Sequence, residues 1–318
     1  MARTLGGLAQ GFAVFAVWEG SALRAAGIRK PIMVLGPVAD TERKEALRNG
    51  ITMSVSSSGE IGAAPRGPGG RMEAHLKFDT GMGRLGIPAR EVVETASALR
   101  RLGVRRLAGI WTHLSAASER AFTALQVSRF DYVLYALARA GISWDLTHVA
   151  ASEAVVFAPQ VARRYGAIRV GLALYGCTPG PRPASFLKPA MSFRTRVSAL
   201  RVAFPGDTIS YGHTWRAPRK ALLAVLPAGY SRGVNRRLSG RGAVLIRGHR
   251  APVRGRVTMD MTVVDVTGIP GVRAGDEAVF FGRQGRAEIR AEEMGGLAGT
   301  VAYEVLCVAG GLNPRSYR

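Results

Sequence analysis

Along the first half of the chain, short apolar runs alternate with amphipathic stretches. The runs are FAVFAV (12–17), PIMVLG (31–36), ITMSVSS (51–57), AHLKFDT (74–80), LAGIWTHL (107–114), WDLTHVA (144–150) and AIRVGLALYG (167–176). Each has strand length and is dominated by apolar residues, many of them β-branched or aromatic. Between them, TERKEALRNG, AREVVETASALRRLG and RFDYVLYALARAG space their apolar residues as helices do, and each closes on Gly, a frequent helix stop. Strands alternating with helices predict a parallel sheet. Seven such periods leave two architectures, a (β/α)8 TIM-type barrel missing its first strand or a doubly wound open sheet, and the barrel is preferred. Residues 1–8 read as the tail of a helix, with no N-cap signal and no strand before them. The expectation is therefore that one strand and most of one helix lie upstream of Met1.

After CTPGPRPASFLKPA the pattern changes. Pro179, Pro181, Pro183 and Pro189 mark a linker. Shorter strands bounded by turn residues follow: SFRTRVSALRVAF, KALLAVLPAGY, GAVLIRG, APVRGRVTMDMTVVDV and DEAVFFG. The predicted division is an α/β barrel domain over 1–186 and a mostly β domain over 187–318.

Composition narrows the function classes. The 318 residues are 47% hydrophobic and 7% aromatic, as in an ordinary globular protein. No uncharged apolar run reaches the roughly 18 residues of a membrane span, and no signal-peptide pattern opens the chain. Cys177 and Cys307 lack metal or redox spacing, so the expectation is no metal and a reduced, cytoplasmic protein. The net charge of +22 is almost all arginine, with lysine at Lys30, Lys44, Lys77, Lys188 and Lys220. These arginines are scattered rather than clustered, which favours a usage bias over a nucleic-acid surface. No nucleic-acid or membrane partner is expected, whereas anionic small molecules fit the charge.

A parallel barrel keeps its reactive groups at the C-terminal ends of its strands. Those ends collect Lys77 and Asp79 before GMGRLG, then His113, His148 and Arg169. A lone strand-end histidine is usually structural; two with an arginine at similar depth read as a site. Ser152 heads a predicted helix after a strand, where a hydroxyl serves either as a cap or as a phosphate ligand, and Gly171 lies in the last βα region.

With these residues in view, HLKFDTGMGRLG resembles the barrel signature of the alanine racemase family, whose members use pyridoxal 5'-phosphate (PLP). THLSAASE, IRVGLALYG, ISYGHTW, LPAGYSRG, GRVTMDM and AYEV follow in that family's order. The resemblance spans nearly the whole chain. It implies interconversion of L- and D-alanine, or a similar small amino acid, for peptidoglycan synthesis. It also implies a homodimer in which Tyr211 acts in the partner's site.

By the same resemblance Tyr211 is one of two bases, on opposite faces of a planar intermediate. A phenol with a pKa of about 10 needs help to act near neutrality, and His113 matches its partner, linked on to Arg169 and His148. Arg169 matches the residue facing the cofactor's pyridine nitrogen, where a fixed positive charge disfavours a second one. Ser152, Gly171, Leu172 and Tyr303 match phosphate contacts, Gly171 and Leu172 through their backbones. Arg84 matches the arginine near the cofactor phenolate and the substrate carboxylate, with Lys77, often carbamylated in the family, orienting it. The Met259 backbone and Asp260 match carboxylate contacts, and Tyr230, Arg236 and Arg256 resemble residues around the entrance.

The family's second base is a lysine on the first barrel strand that also forms the Schiff base with PLP. None of the five lysines matches it by position. The 318 residues on their own are therefore expected to be inactive and poorly stable, with a non-catalytic PLP-binding homologue as the alternative. Ala151 stands where the family usually has Asn, and Ser118 and Arg232 where it often has an acid. These departures bear on the entrance and on strictness for alanine.

Overall fold

The computed structural model describes residues 1–180 and 184–317, so Pro181 and Pro183 of the expected linker lie outside the described residues. The chain divides into two compact units, Met1–Val170 and Gly171–Arg318. Each is described by itself.

The first unit is a parallel, nearly closed barrel sheet with helices outside it. Three two-residue strands, Arg66–Gly67, Ile87–Pro88 and Ser143–Trp144, pair off its main path, whose strands are β1 (Phe12–Val14), β2 (Ile32–Val34), β3 (Ile51–Val55), β4 (Arg71–Asp79), β5 (Arg106–Trp111), β6 (Thr147–Ala151) and β7 (Ala167–Arg169). These seven pair in sequence order, each parallel to the next. Strand β4 shows how sequence sets this layer. Met72, Ala74, Leu76 and Phe78 are fully buried and pack in one cluster with Val92, Leu99, Phe130 and Val133 of the outer helices. The alternate residues, His75 and Lys77 among them, are thereby turned into the barrel. That face is where the chemistry lies.

Two expected elements came out differently. The run 167–176 is a strand only as far as Arg169, and Leu172–Tyr175 forms a 3-10 turn ending at Gly176 with φ 75°. The helix expected around RFDYVLYALARAG begins earlier, spanning Arg120–Arg139. Its first half was hidden because two of its buried positions, Thr123 and Gln126, are polar and interrupt the apolar period. The opening helix is the single turn Ala2–Leu5.

The second unit is antiparallel. One sheet runs Phe193–Arg196, Glu277–Gln284, Ala243–Ile246, His249–Pro252; another runs Ala199–Ala203, Ala221–Leu226, Thr262–Asp265. A hairpin, Thr208–Ile209 with Trp215–Arg216, carries the SYGHT turn. Two helices, Ala291–Ala298 and Ala302–Leu312, were not expected, since Gly295, Gly296, Gly310 and Gly311 weaken their sequence signal. Among the described residues no single helix is long and apolar enough to cross a membrane.

Candidate active site at the barrel mouth

Arg169 ends β7 and organises the mouth. Its guanidinium donates to the carbonyls of Thr112 (2.8 Å), His148 (3.0 Å) and Val149 (3.1 Å). It also reaches His148 Nδ1 at 2.7 Å and His113 Nδ1 at 3.1 Å. A guanidinium only donates, so both ring nitrogens must be acceptors. Each imidazole then carries its proton on Nε2. For His148 that proton points to His75 Nδ1, 2.8 Å away, which makes His75 an acceptor too. One buried cation thus fixes three neutral histidines in one tautomer each.

The electrostatics agree. Burial pushes His75 and His113 down to about 4, with the Arg169 charge adding to it, and His148 to about 2 for the same reasons. Burial lowers Arg169 to about 9, so it is still charged at neutral pH. Lys77 falls to about 8 through burial and the nearby charges of Arg84 and Arg169, only partly offset by Asp79.

Trp111, at the end of β5 and 2% exposed, is the floor of this cluster. Its ring stacks on His148 (centroids 5.5 Å, 10°), and the Lys77 amine and Arg169 guanidinium lie 4.4 and 4.7 Å from its centre. Cations on an aromatic face gain from its quadrupole. The indole N–H donates to Ser54 at 3.2 Å. Asp79 gives its carboxylate to the backbone N–H groups of Gly81, Met82 and Gly83 (2.7–2.9 Å), shaping the loop that presents Arg84. Ser152 is buried at the start of Ser152–Phe157.

Sequence reasoning missed His75, Trp111 and Gln126. His75 was signalled by the two-residue alternation with Lys77, and again by Gly109: a Cβ there would come within 2.4 Å of the His75 ring.

The remaining expected residues belong to the second unit. Tyr211 is 72% exposed in the turn Tyr211–His213, with positive φ at Ser210, Gly212 and His213. The Arg256 guanidinium packs on this turn, 3.1 Å from where a Gly212 Cβ would stand, and the Arg256 carbonyl accepts from Ser210 Oγ at 2.7 Å. Tyr230 N–H donates to Thr258 O, and Ser231 N–H to Met259 O. Ser231 Oγ also holds the Asp260 carboxylate at 2.7 Å. Arg236 opens the turn Arg236–Leu238. Gly171 precedes the turn that starts at buried Leu172, and Tyr303 lies in the first turn of Ala302–Leu312.

A parallel barrel with a charged, histidine-lined mouth, followed by an antiparallel unit, is the layout of a two-part barrel enzyme. The family model described as "Alanine racemase, N-terminal domain" matches residues 1–179, and "Alanine racemase, C-terminal domain" matches 190–317. The chain belongs to the alanine racemase family of isomerases. It is 41% identical over 312 residues to "Alanine racemase" of Symbiobacterium thermophilum, covering 96% of this chain and 82% of that one. With the alanine racemase of Sorangium cellulosum it shares 39% over 321 residues, 97% and 84% covered. The crystal structure of alanine racemase from D-cycloserine-producing Streptomyces lavendulae superposes with a TM-score of 0.85 at 33% identity, covering 98% of this chain and 84% of that one.

Proposed function

We propose that this protein is a PLP-dependent racemase interconverting L- and D-alanine, acting as a cytoplasmic homodimer that supplies D-alanine for peptidoglycan. The observation that carries the reading is the donor set of the mouth. Lys77, Arg84 and Arg169 meet neutral imidazoles there, and Asp79, the neighbouring carboxylate, is turned onto backbone N–H groups. Such a set fits a planar ligand bearing phosphate, phenolate and carboxylate.

Bound there, PLP supplies the electron sink that makes an amino acid's α-proton removable. Arg169 would hold its charge against the ring nitrogen of bound PLP, disfavouring a proton there and so limiting side reactions. Ser152, Gly171, Leu172 and Tyr303 would hold the phosphate, Arg84 and the Met259 backbone the substrate carboxylate. Tyr211 of one subunit moves the proton on one face of the partner's site, with His113 as its neighbour. A lysine must serve the other face, and of the five lysines Lys77 alone lies in this buried cluster, engaged with Trp111. The 318 residues alone are therefore proposed to bind ligand without turnover.

The test uses N-(5'-phosphopyridoxyl)-L-alanine, which joins cofactor and amino acid by a stable bond and needs no lysine. Calorimetry should show saturable one-to-one binding, lost in Arg169→Met. No binding, or binding indifferent to Arg169, would refute the site.

A further inference from the structure

Gln126 lies in the first half of the helix Arg120–Arg139, outside the barrel, and is 0% exposed. Its Oε1 accepts from Ser115 N–H (2.9 Å) and Ser115 Oγ (3.1 Å). Its Nε2 donates to the His113 carbonyl (3.2 Å) and reaches Thr80 Oγ1 at 3.4 Å. The amide orientation is forced, because a backbone N–H needs the oxygen and a carbonyl needs the NH2. Thr80 in turn bonds Thr112 across the strand ends at 2.9 Å.

The same helix face grips the other loop. Arg129, one turn on, donates to Thr80 O at 3.0 Å. Gly81 sits so close that a Cβ would meet Phe122 at 3.0 Å, Arg129 at 3.3 Å and Gln126 at 3.4 Å, and its φ of 141° excludes most side chains in any case. Thr123 completes the row by donating to Ala116 O at 3.1 Å. One helix face therefore ties the loop 79–86, which presents Arg84, to the loop 113–116, which begins at His113. A fully buried amide is costly unless paired, and here it is paired only because both loops are in place.

We propose that Gln126, seconded by Arg129, is a positioning residue that sets Arg84 and His113 relative to each other, so that carboxylate recognition depends on a side chain touching neither ligand nor cofactor. The inference rests on the proposed PLP and amino-acid site.

The experiment compares two probes by calorimetry on the whole chain: pyridoxamine 5'-phosphate, which lacks the carboxylate, and N-(5'-phosphopyridoxyl)-L-alanine, which has it. The unaltered chain should prefer the second by roughly tenfold or more, as a charged hydrogen bond predicts. Arg84→Met should erase that preference. Gln126→Leu should reduce it at least about fivefold while leaving pyridoxamine phosphate affinity within about twofold; Gln126→Glu, which keeps the acceptor for Ser115, should fall between. An unchanged preference in both Gln126 variants, or equal loss of both affinities, overturns the proposal. Amide hydrogen exchange gives a ligand-free readout: Gln126→Leu should unprotect Ser115 and Gly81–Met82 together, and loss in one loop alone overturns the coupling. If the unaltered chain binds neither probe, the PLP reading falls, and the carboxylate role of Gln126 with it.

Discussion

The barrel mouth and the Tyr211 turn hold reactive groups in opposite ways. In the mouth, side chains fix one another: Arg169 makes five hydrogen bonds and dictates the tautomers of His113, His148 and His75. On the second unit, Tyr211 stands exposed in a turn shaped by positive φ at Ser210, Gly212 and His213 and braced by Arg256. A buried network sets protonation as well as position, but tolerates almost no substitution. An exposed turn stores backbone strain at one place and leaves its side chain for another surface to complete. The division suits the proposed reaction, in which a rigid cofactor site would be completed by a base from a partner.

The contrast breaks most sharply at Arg169. Arg169→Met takes a charged donor away from three carbonyls and two imidazoles and should cost about 3–5 kcal/mol in urea unfolding, whereas Tyr211→Phe should leave the unfolding curve unchanged. Equal effects would erase the distinction. Next in size is Gly109→Ala, whose methyl collides with the His75 ring. Overpacking of this kind costs about 1–3 kcal/mol, and His75→Ala in the same chain should recover part of it.

Acid sharpens the comparison further. The three mouth histidines have folded values below the unfolded 6.5, so the unfolded chain binds protons first. Stability from this source is therefore complete above pH 6.5 and lost as pH falls, toward 4 for His75 and His113 and on toward 2 for His148. Each imidazole contributes a slope of up to about 1.4 kcal/mol per pH unit. Lys77 adds a slope of the same sign between pH 10.5 and about 8. Hydrogen exchange across pH 4–7 should show the mouth strands loosening while the strands flanking Tyr211 hold; uniform loosening would contradict the assignment. The smallest effect is expected at Arg71, whose ion pairs with Asp145 and Glu73 are partly exposed. Arg71→Gln should change stability by no more than about 1 kcal/mol, and less in high salt.

Much of this was legible in the sequence. The seven strands of the main barrel path were placed, because a parallel sheet buried on both faces writes itself as apolar runs. Lys77, His113, His148 and Arg169 were read from their place at strand ends. Gln126, Thr80 and Thr112 were not, since a polar residue on a buried helix face looks like a flaw in the helical period until its partners are known. His75 and Trp111 were passed over for the opposite reason, as members of apolar strands. The two C-terminal helices were lost because four glycines blur their pattern. Which loops of the second unit share a surface is a matter of tertiary pairing, such as Ser231 on Asp260, and no local pattern carries it.

The most direct measurement follows D-alanine by chiral chromatography after incubation with PLP and L-alanine. The 318 residues should give none. Joined to the family's lysine-bearing first strand, they should drive alanine to an equal mixture, since enantiomers have equal free energy, and Tyr211→Phe should slow the approach by roughly a hundredfold or more. Turnover by the 318 residues alone would contradict the lysine requirement. Absence of D-alanine from the joined, folded, PLP-loaded chain would contradict the racemase reading itself.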